Sequence, residues 1–189
     1  MNASDHFLEE IVASVRTAVD NNDAADLESC TLRYLTEWEY DEFPDQLMSL
    51  VISLLSNERF LHMEGSWHLL HMLETEWDCL TESQKSSLLR AIHSAFPRLR
   101  DWLACFVVAE LLGMYFCDAS ALSVLVDLGK TSKGMHRTYI PSGLKYIAES
   151  GPPSAAVAAL AELRLLSRDP DCDVRREATE CLRRLRQAN

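Results

Sequence analysis

The sequence predicts an all-α fold, an array of paired helices, and three observations carry that expectation. Strict apolar–polar alternation is almost absent, so no segment reads as a half-buried strand, while apolar residues recur at helical spacing nearly throughout. Capping residues and helix breakers fall between these stretches, with Pro141 the exception. A two-helix pattern also returns roughly every 38 residues.

Taken in order, Ser4 is expected to cap a helix over His6 to Val19, and Asn22 or Asp23 one that runs through Tyr34. Pro44 stands at the start of Asp45 to Ser56, where its missing N–H costs little. Thr81 precedes a helix over Ser83 to Phe96. The longest apolar run, Trp102 to Met114, is broken by Glu110 and is shorter than the ~20 residues of a membrane span, so it predicts a buried helix. Helices over Ala119 to Leu128 and Ser154 to Ser167 follow, together with their partners. The stretch Gly129-Lys130-Thr131-Ser132-Lys133-Gly134 reads as a turn, the most accessible connection in the chain. It is not a phosphate loop, because the G-x-x-x-x-G-K-[ST] order is missing and no strand precedes it. Pro141 is expected to kink the next helix or shift its start. Pro97, Gly151-Pro152-Pro153 and Pro170 stop helices. About ten helices of 10–18 residues result, with short connections.

The repeat becomes visible when His62, Asp101, Arg137 and Arg175 are taken as anchors, spaced by 39, 36 and 38 residues. Three positions on come Gly65, Ala104, Ile140 and Ala178; seven on, Leu69, Val108, Leu144 and Leu182; ten on, Met72, Leu111, Ile147 and Leu185. That spacing is one face of a helix. An amphipathic helix precedes each anchor, and the helices up to Tyr40 form a fifth, less regular pair.

The terminal unit, with its Asp169-Pro170 turn, Asp173-Val174-Arg175 and Ala178, resembles a HEAT repeat. The resemblance is strongest over residues 154–187 and extends over 98–150, whereas the earlier units carry Asp101 and His62 where the family has arginine. It implies one domain over residues 1–189, a right-handed α-α superhelix of about five HEAT-like hairpins. An irregular helical bundle is the structural alternative.

Charge is uneven along the chain. Residues 1–118 hold 21 acids and 7 bases, and residues 119–189 hold 8 acids and 11 bases. A net charge of −11 argues against nucleic acid, which needs clustered Lys and Arg, and favours a basic protein partner captured with salt-sensitive rates. Acidity also serves solubility. The polar N-terminus predicts a chain without a secretory leader, and no segment predicts membrane insertion. The six cysteines are scattered without a C-x-x-C, which suits reduced core thiols in a cytoplasmic protein.

Two groups stand out as candidate protein-binding residues. The first is Glu37, Trp38, Glu39, Tyr40, Asp41 and Glu42, followed by Phe43, Pro44 and Asp45, which concentrates acids and aromatics at a helix end. Carboxylates accept from a partner's arginines and aromatics supply contact area at low entropic cost, although the rings can equally turn inward to close a helix pair. The second is Glu64, His68 and His71, at i, i+4 and i+7, expected on one helical face with Glu74 near its end. This ligand chemistry suits zinc or iron, but HEAT-like enzymes with di-iron centres use paired His-Glu motifs and this chain has no His-Glu dipeptide. A polar groove surface is the expected reading, with no metal and no cofactor.

The sequence also lacks G-x-S-x-G and H-E-x-x-H. HEAT-like DNA glycosylases use a basic concave face, which the acidic early units do not supply. The arginines at 175, 176, 183, 184 and 186 fit the polar face of a capping repeat. The expectation is therefore a non-enzymatic binding protein. In its most concrete form it is an acidic immunity-type inhibitor that neutralises a bacterial toxin domain. A HEAT-repeat scaffold or assembly factor is the alternative, and a HEAT-like lyase or metal-dependent enzyme comes third.

Overall fold

The computed structural model describes residues 3–38 and 41–188, which form eleven α-helices and no strand. The chain divides into two compact units, Met1–Ala104 and Cys105–Asn189.

The first unit holds α1 (Ala3–Asn21), α2 (Ala24–Glu37), α3 (Asp45–Leu54), α4 (Glu58–His62), α5 (Trp67–Thr75) and α6 (Glu82–Ala95), and ends inside α7 (Trp102–Glu110). α1 begins at Ala3, so Ser4 lies within the helix rather than capping it. Its apolar face, Ile11, Val12, Val15, Ala18 and Val19, is buried, and α1 packs on α2, α3 and α4. The reversal into α2 is made at Asn22, whose φ of 56° lies in the left-handed region that asparagine tolerates. Asp23 then caps α2, its Oδ1 accepting from the N–H groups of Ala25 and Asp26 at 3.1 and 3.0 Å.

α6 opens on a capping box: Thr81 accepts from the Gln84 N–H at 3.2 Å, and Gln84 Oε1 accepts from the Thr81 N–H at 2.9 Å. The Gln84 amide also donates to the Phe43 carbonyl at 3.0 Å and to Asp45 Oδ1 at 2.8 Å, which ties the start of α6 to the start of α3. Gln84→Ala is expected to cost about 2 kcal/mol, because it leaves a buried carbonyl unsatisfied, against about 1 kcal/mol for Thr81→Ala. Urea titration of both variants checks the order.

The first repeat anchor does not start a helix. His62 ends α4, Gly65 turns the chain at φ +83°, and α5 begins only at Trp67. A Cβ at Gly65 would lie 2.7 Å from the Ala24 Cβ. Asp101 secures that turn: its buried carboxylate accepts from the Gly65 N–H and from the Leu103 N–H, both at 2.9 Å.

The second unit continues from α7 through a π-helical turn (Leu111–Phe116), then α8 (Ala119–Thr131), α9 (Met135–Ser150), α10 (Pro153–Leu166) and α11 (Cys172–Ala188). α9 is its centre and packs on α8, α10, α11 and the π-helical turn. The expected stripe is buried at Ile140, Leu144, Ile147, Ala178 and Leu185, while Leu182 is half-buried. Pro141 lies inside α9 without shifting its start, buried among these apolar residues. Its missing N–H leaves the Arg137 carbonyl without the usual helical donor.

The Gly129–Gly134 expectation is corrected in part. Gly129 to Thr131 complete α8, and Gly129 and Ser132 are buried, so only the last three residues form the turn. The weak helix propensity of glycine, about 1 kcal/mol, gives way to packing against Ile140. All six cysteines are free, but only Cys105 and Cys181 are buried and Cys172 is exposed, so the expectation of core thiols holds for a minority.

Candidate functional site

Two aromatic residues of the first predicted stretch, Trp38 and Phe43, pack within the first unit. Trp38, the C-terminal cap of α2, is half-buried and stacks on Tyr34 at 5.7 Å and Phe7 at 6.3 Å, and its indole N–H donates to the Glu42 carbonyl at 3.2 Å. Tyr34 and Phe43 are buried, and the Phe43 N–H donates to the Cys79 carbonyl at 3.1 Å. Glu39 and Tyr40 lie outside the described residues. What remains outward is carboxylate. Glu37 is held 3.3 Å from Arg33, which also reaches Glu10 at 3.1 Å and covers the Phe7 ring at 5.2 Å. Asp41 and Glu42 are exposed and take part in no ion pair among the described residues.

Glu64, His68 and His71 do not share a helical face, because Glu64 lies in the turn that Gly65 makes before α5. His68 stacks on Trp67 at 3.9 Å and its Nε2 is 3.8 Å from Glu28 on α2. Burial pushes the His68 pKa below the ordinary imidazole value, outweighing the pull of Glu28 and Asp101 toward the charged form. His71 Nδ1 is 2.6 Å from Glu74, whose carboxylate is buried. The two histidines therefore have separate carboxylate partners, and of those Glu28 was not visible from spacing because it comes from another helix.

Potential metal donors come together among the described residues at Asp171, Cys172 and Asp173. One oxygen of each carboxylate already serves the start of α11. Asp171 Oδ1 accepts from the Asp173 and Val174 N–H groups at 2.9 and 3.4 Å, and Asp173 pairs with Arg176 at 2.9 Å. Burial raises the thiol pKa of Cys30, Cys79 and Cys117, and that of Cys181 to about 12 with help from Glu177, so these thiols hold their protons near neutrality.

The second unit contributes two features that sequence reading did not bring together. Arg137 donates from Nε to the Gly129 carbonyl at 2.6 Å and from its terminal nitrogens to both oxygens of buried Asp169, at 3.0 and 2.5 Å. Arg175, one anchor later, donates to the Asp169 and Pro170 carbonyls at 2.5 and 3.3 Å. Beside this clamp an open cleft of about 540 Å³ is lined by Phe106, Tyr139, Met135, Asp173 and Glu177 among others.

Comparison of the chain with protein-family models, with characterised proteins and with solved structures returned no match. Among the described residues no helix is long and apolar enough to cross a membrane. The class that fold and surface define is thus an all-helical protein with an acidic first unit.

Proposed function

We propose that the chain is a non-enzymatic, HEAT-like α-solenoid that binds a basic protein through the acidic face of its first unit. In its most concrete form it is an immunity-type inhibitor that neutralises a toxin domain by direct contact. One observation carries this reading. The unit Met1–Ala104 holds 19 acids and 7 bases, net −12, and Cys105–Asn189 holds 10 acids and 11 bases, net +1. A field so one-sided steers a basic partner and accelerates encounter, and the exposed carboxylates of Asp41 and Glu42 are open to a partner's arginines. Support for the repeat reading comes from Arg137 and Arg175, which sit one repeat apart and both hold the Asp169-Pro170 turn.

The test is association with a partner captured from lysate, followed by stopped flow across a salt series. Asp41→Lys with Glu42→Lys is expected to slow association about tenfold at low salt while leaving dissociation nearly unchanged. Unchanged association would remove the acidic face from the interface. A scaffold reading draws on the division into two units of different charge. It predicts two partners bound at once, with the reversals affecting only one of them.

A further inference from the structure

We propose that the cleft of the second unit receives an arginine side chain presented on an exposed segment of a partner protein. The inference is independent of the acidic face of the first unit, since every residue lining the cleft lies between Phe106 and Glu177.

The lining combines aromatic and acidic groups. Phe106 and Tyr139, both half-buried, meet edge-on with their ring centroids 6.4 Å apart, and half-exposed Met135 adds apolar surface. Asp171, Asp173 and Glu177 supply three carboxylates against one cation, Arg176, which Asp173 already neutralises at 2.9 Å. Asp171 uses Oδ1 to cap α11 and keeps its second oxygen as an acceptor; Glu177 receives a weak thiol contact from Cys181 at 3.8 Å and feels the charge of Arg184, but forms no ion pair within 4 Å among the described residues. The cleft therefore offers a net charge of −2 beside two aromatic rings.

Ligand classes separate on that chemistry. An anion meets an excess of carboxylate over cation in the lining, despite the α11 N-terminus, whose dipole Asp171 and Asp173 already balance. A purely apolar group strips water from the carboxylates without replacing their hydrogen bonds. A lysine satisfies the charge but presents a compact, strongly hydrated ammonium. A guanidinium is flat, stacks on aromatic rings and donates in a fork to carboxylate, so it uses both parts of the lining.

The experiment is amide NMR of the full chain titrated with acetyl-Gly-Arg-Gly-amide, with the lysine and glutamate analogues alongside. The arginine peptide is expected to shift Thr138, Tyr139, Ser142 and Glu177 saturably, with a Kd of about 1 mM for so small a probe. The lysine analogue is expected several-fold weaker and the glutamate analogue silent. Glu177→Gln, which keeps size, and Tyr139→Leu, which keeps an apolar side chain but removes the ring, are each expected to weaken binding severalfold, while Asp41→Lys leaves it unchanged. Equal binding of the lysine analogue, or no saturable shift at the cleft, overturns the proposal. Shifts confined to Asp41 and Glu42 also overturn it, while leaving the proposed role of the first unit standing.

Discussion

Gly113→Ala is expected to lower the melting temperature of the protein by roughly 6–12 °C, or to prevent folding of the second unit, a cost of about 3 kcal/mol or more. A Cβ at Gly113 would sit 2.3 Å from the Gly143 carbonyl oxygen and 2.7 Å from its Cα. Those are backbone atoms, so no rotamer change relieves the clash; the π-helical turn and α9 must move apart. Gly143 is constrained from its own side, where a Cβ would meet the Ala109 carbonyl oxygen and a Leu125 methyl carbon, each at 2.9 Å. The contact therefore needs glycine on both helices, and either alanine opens a seam between elements that bury Leu111, Leu112, Ile140 and Leu144. Gly134→Ala is the control. It has φ 54° and ψ −134° but no neighbour within 4 Å of the added atom, so a backbone cost of about 1–3 kcal/mol applies without any clash. Thermal melts followed by circular dichroism separate the two. A Gly113→Ala protein that melts like the parent would mean the helices do not approach this closely in solution.

Local signals in the sequence predicted local structure well. Asp23 and Thr81 cap the helices expected of them, since a cap is made by atoms two or three residues away. The stripe through Val108, Ile140, Leu144 and Ala178 is buried because helical period and core face are one property read along the chain. Where a contact joined distant residues, spacing gave no guide. Glu64 shares a period with His68 and His71, but the left-handed Gly65 ends that register, and a glycine's φ is not written in its neighbours' polarity. His68 instead meets Glu28, forty positions earlier. Trp38 reads from sequence as contact surface as readily as core, and its stacking on Phe7 joins residues that no spacing connects. The cleft was invisible for the same reason, since Phe106, Tyr139 and Glu177 come from three helices.

Asp169→Ala is expected to cost about 3–5 kcal/mol, more than any surface charge change, because it strands a partly buried guanidinium. Asp169 receives Arg137 at both oxygens and the Asp171 N–H at 2.9 Å, while Arg137 also holds the Gly129 carbonyl at 2.6 Å. One pair thus joins the end of α8, the start of α9 and the turn between α10 and α11. Arg137→Lys is expected to retain little of this, since an ammonium cannot reach two oxygens and a carbonyl in one planar fork. In a double-mutant cycle with Asp169→Ala and Arg137→Ala, a coupling of about 2 kcal/mol or more is expected from urea unfolding. Additive costs would mean that Arg137 acts through the Gly129 carbonyl alone. The same anchor slot holds Asp101 in the first unit, where the carboxylate accepts from the Gly65 N–H, and Arg175 later, where the guanidinium donates to two carbonyls of the 169–170 turn. Asp101 and Arg175 thus each secure the backbone of a turn, one by accepting and the other by donating, whereas His62, among the described residues, meets only the Glu58 side chain at 3.6 Å. Opposite charges serve the same end because a turn exposes both N–H groups and carbonyls, so replacing Asp101 or Arg175 without changing the turn it holds is expected to destabilise the fold rather than merely alter its surface.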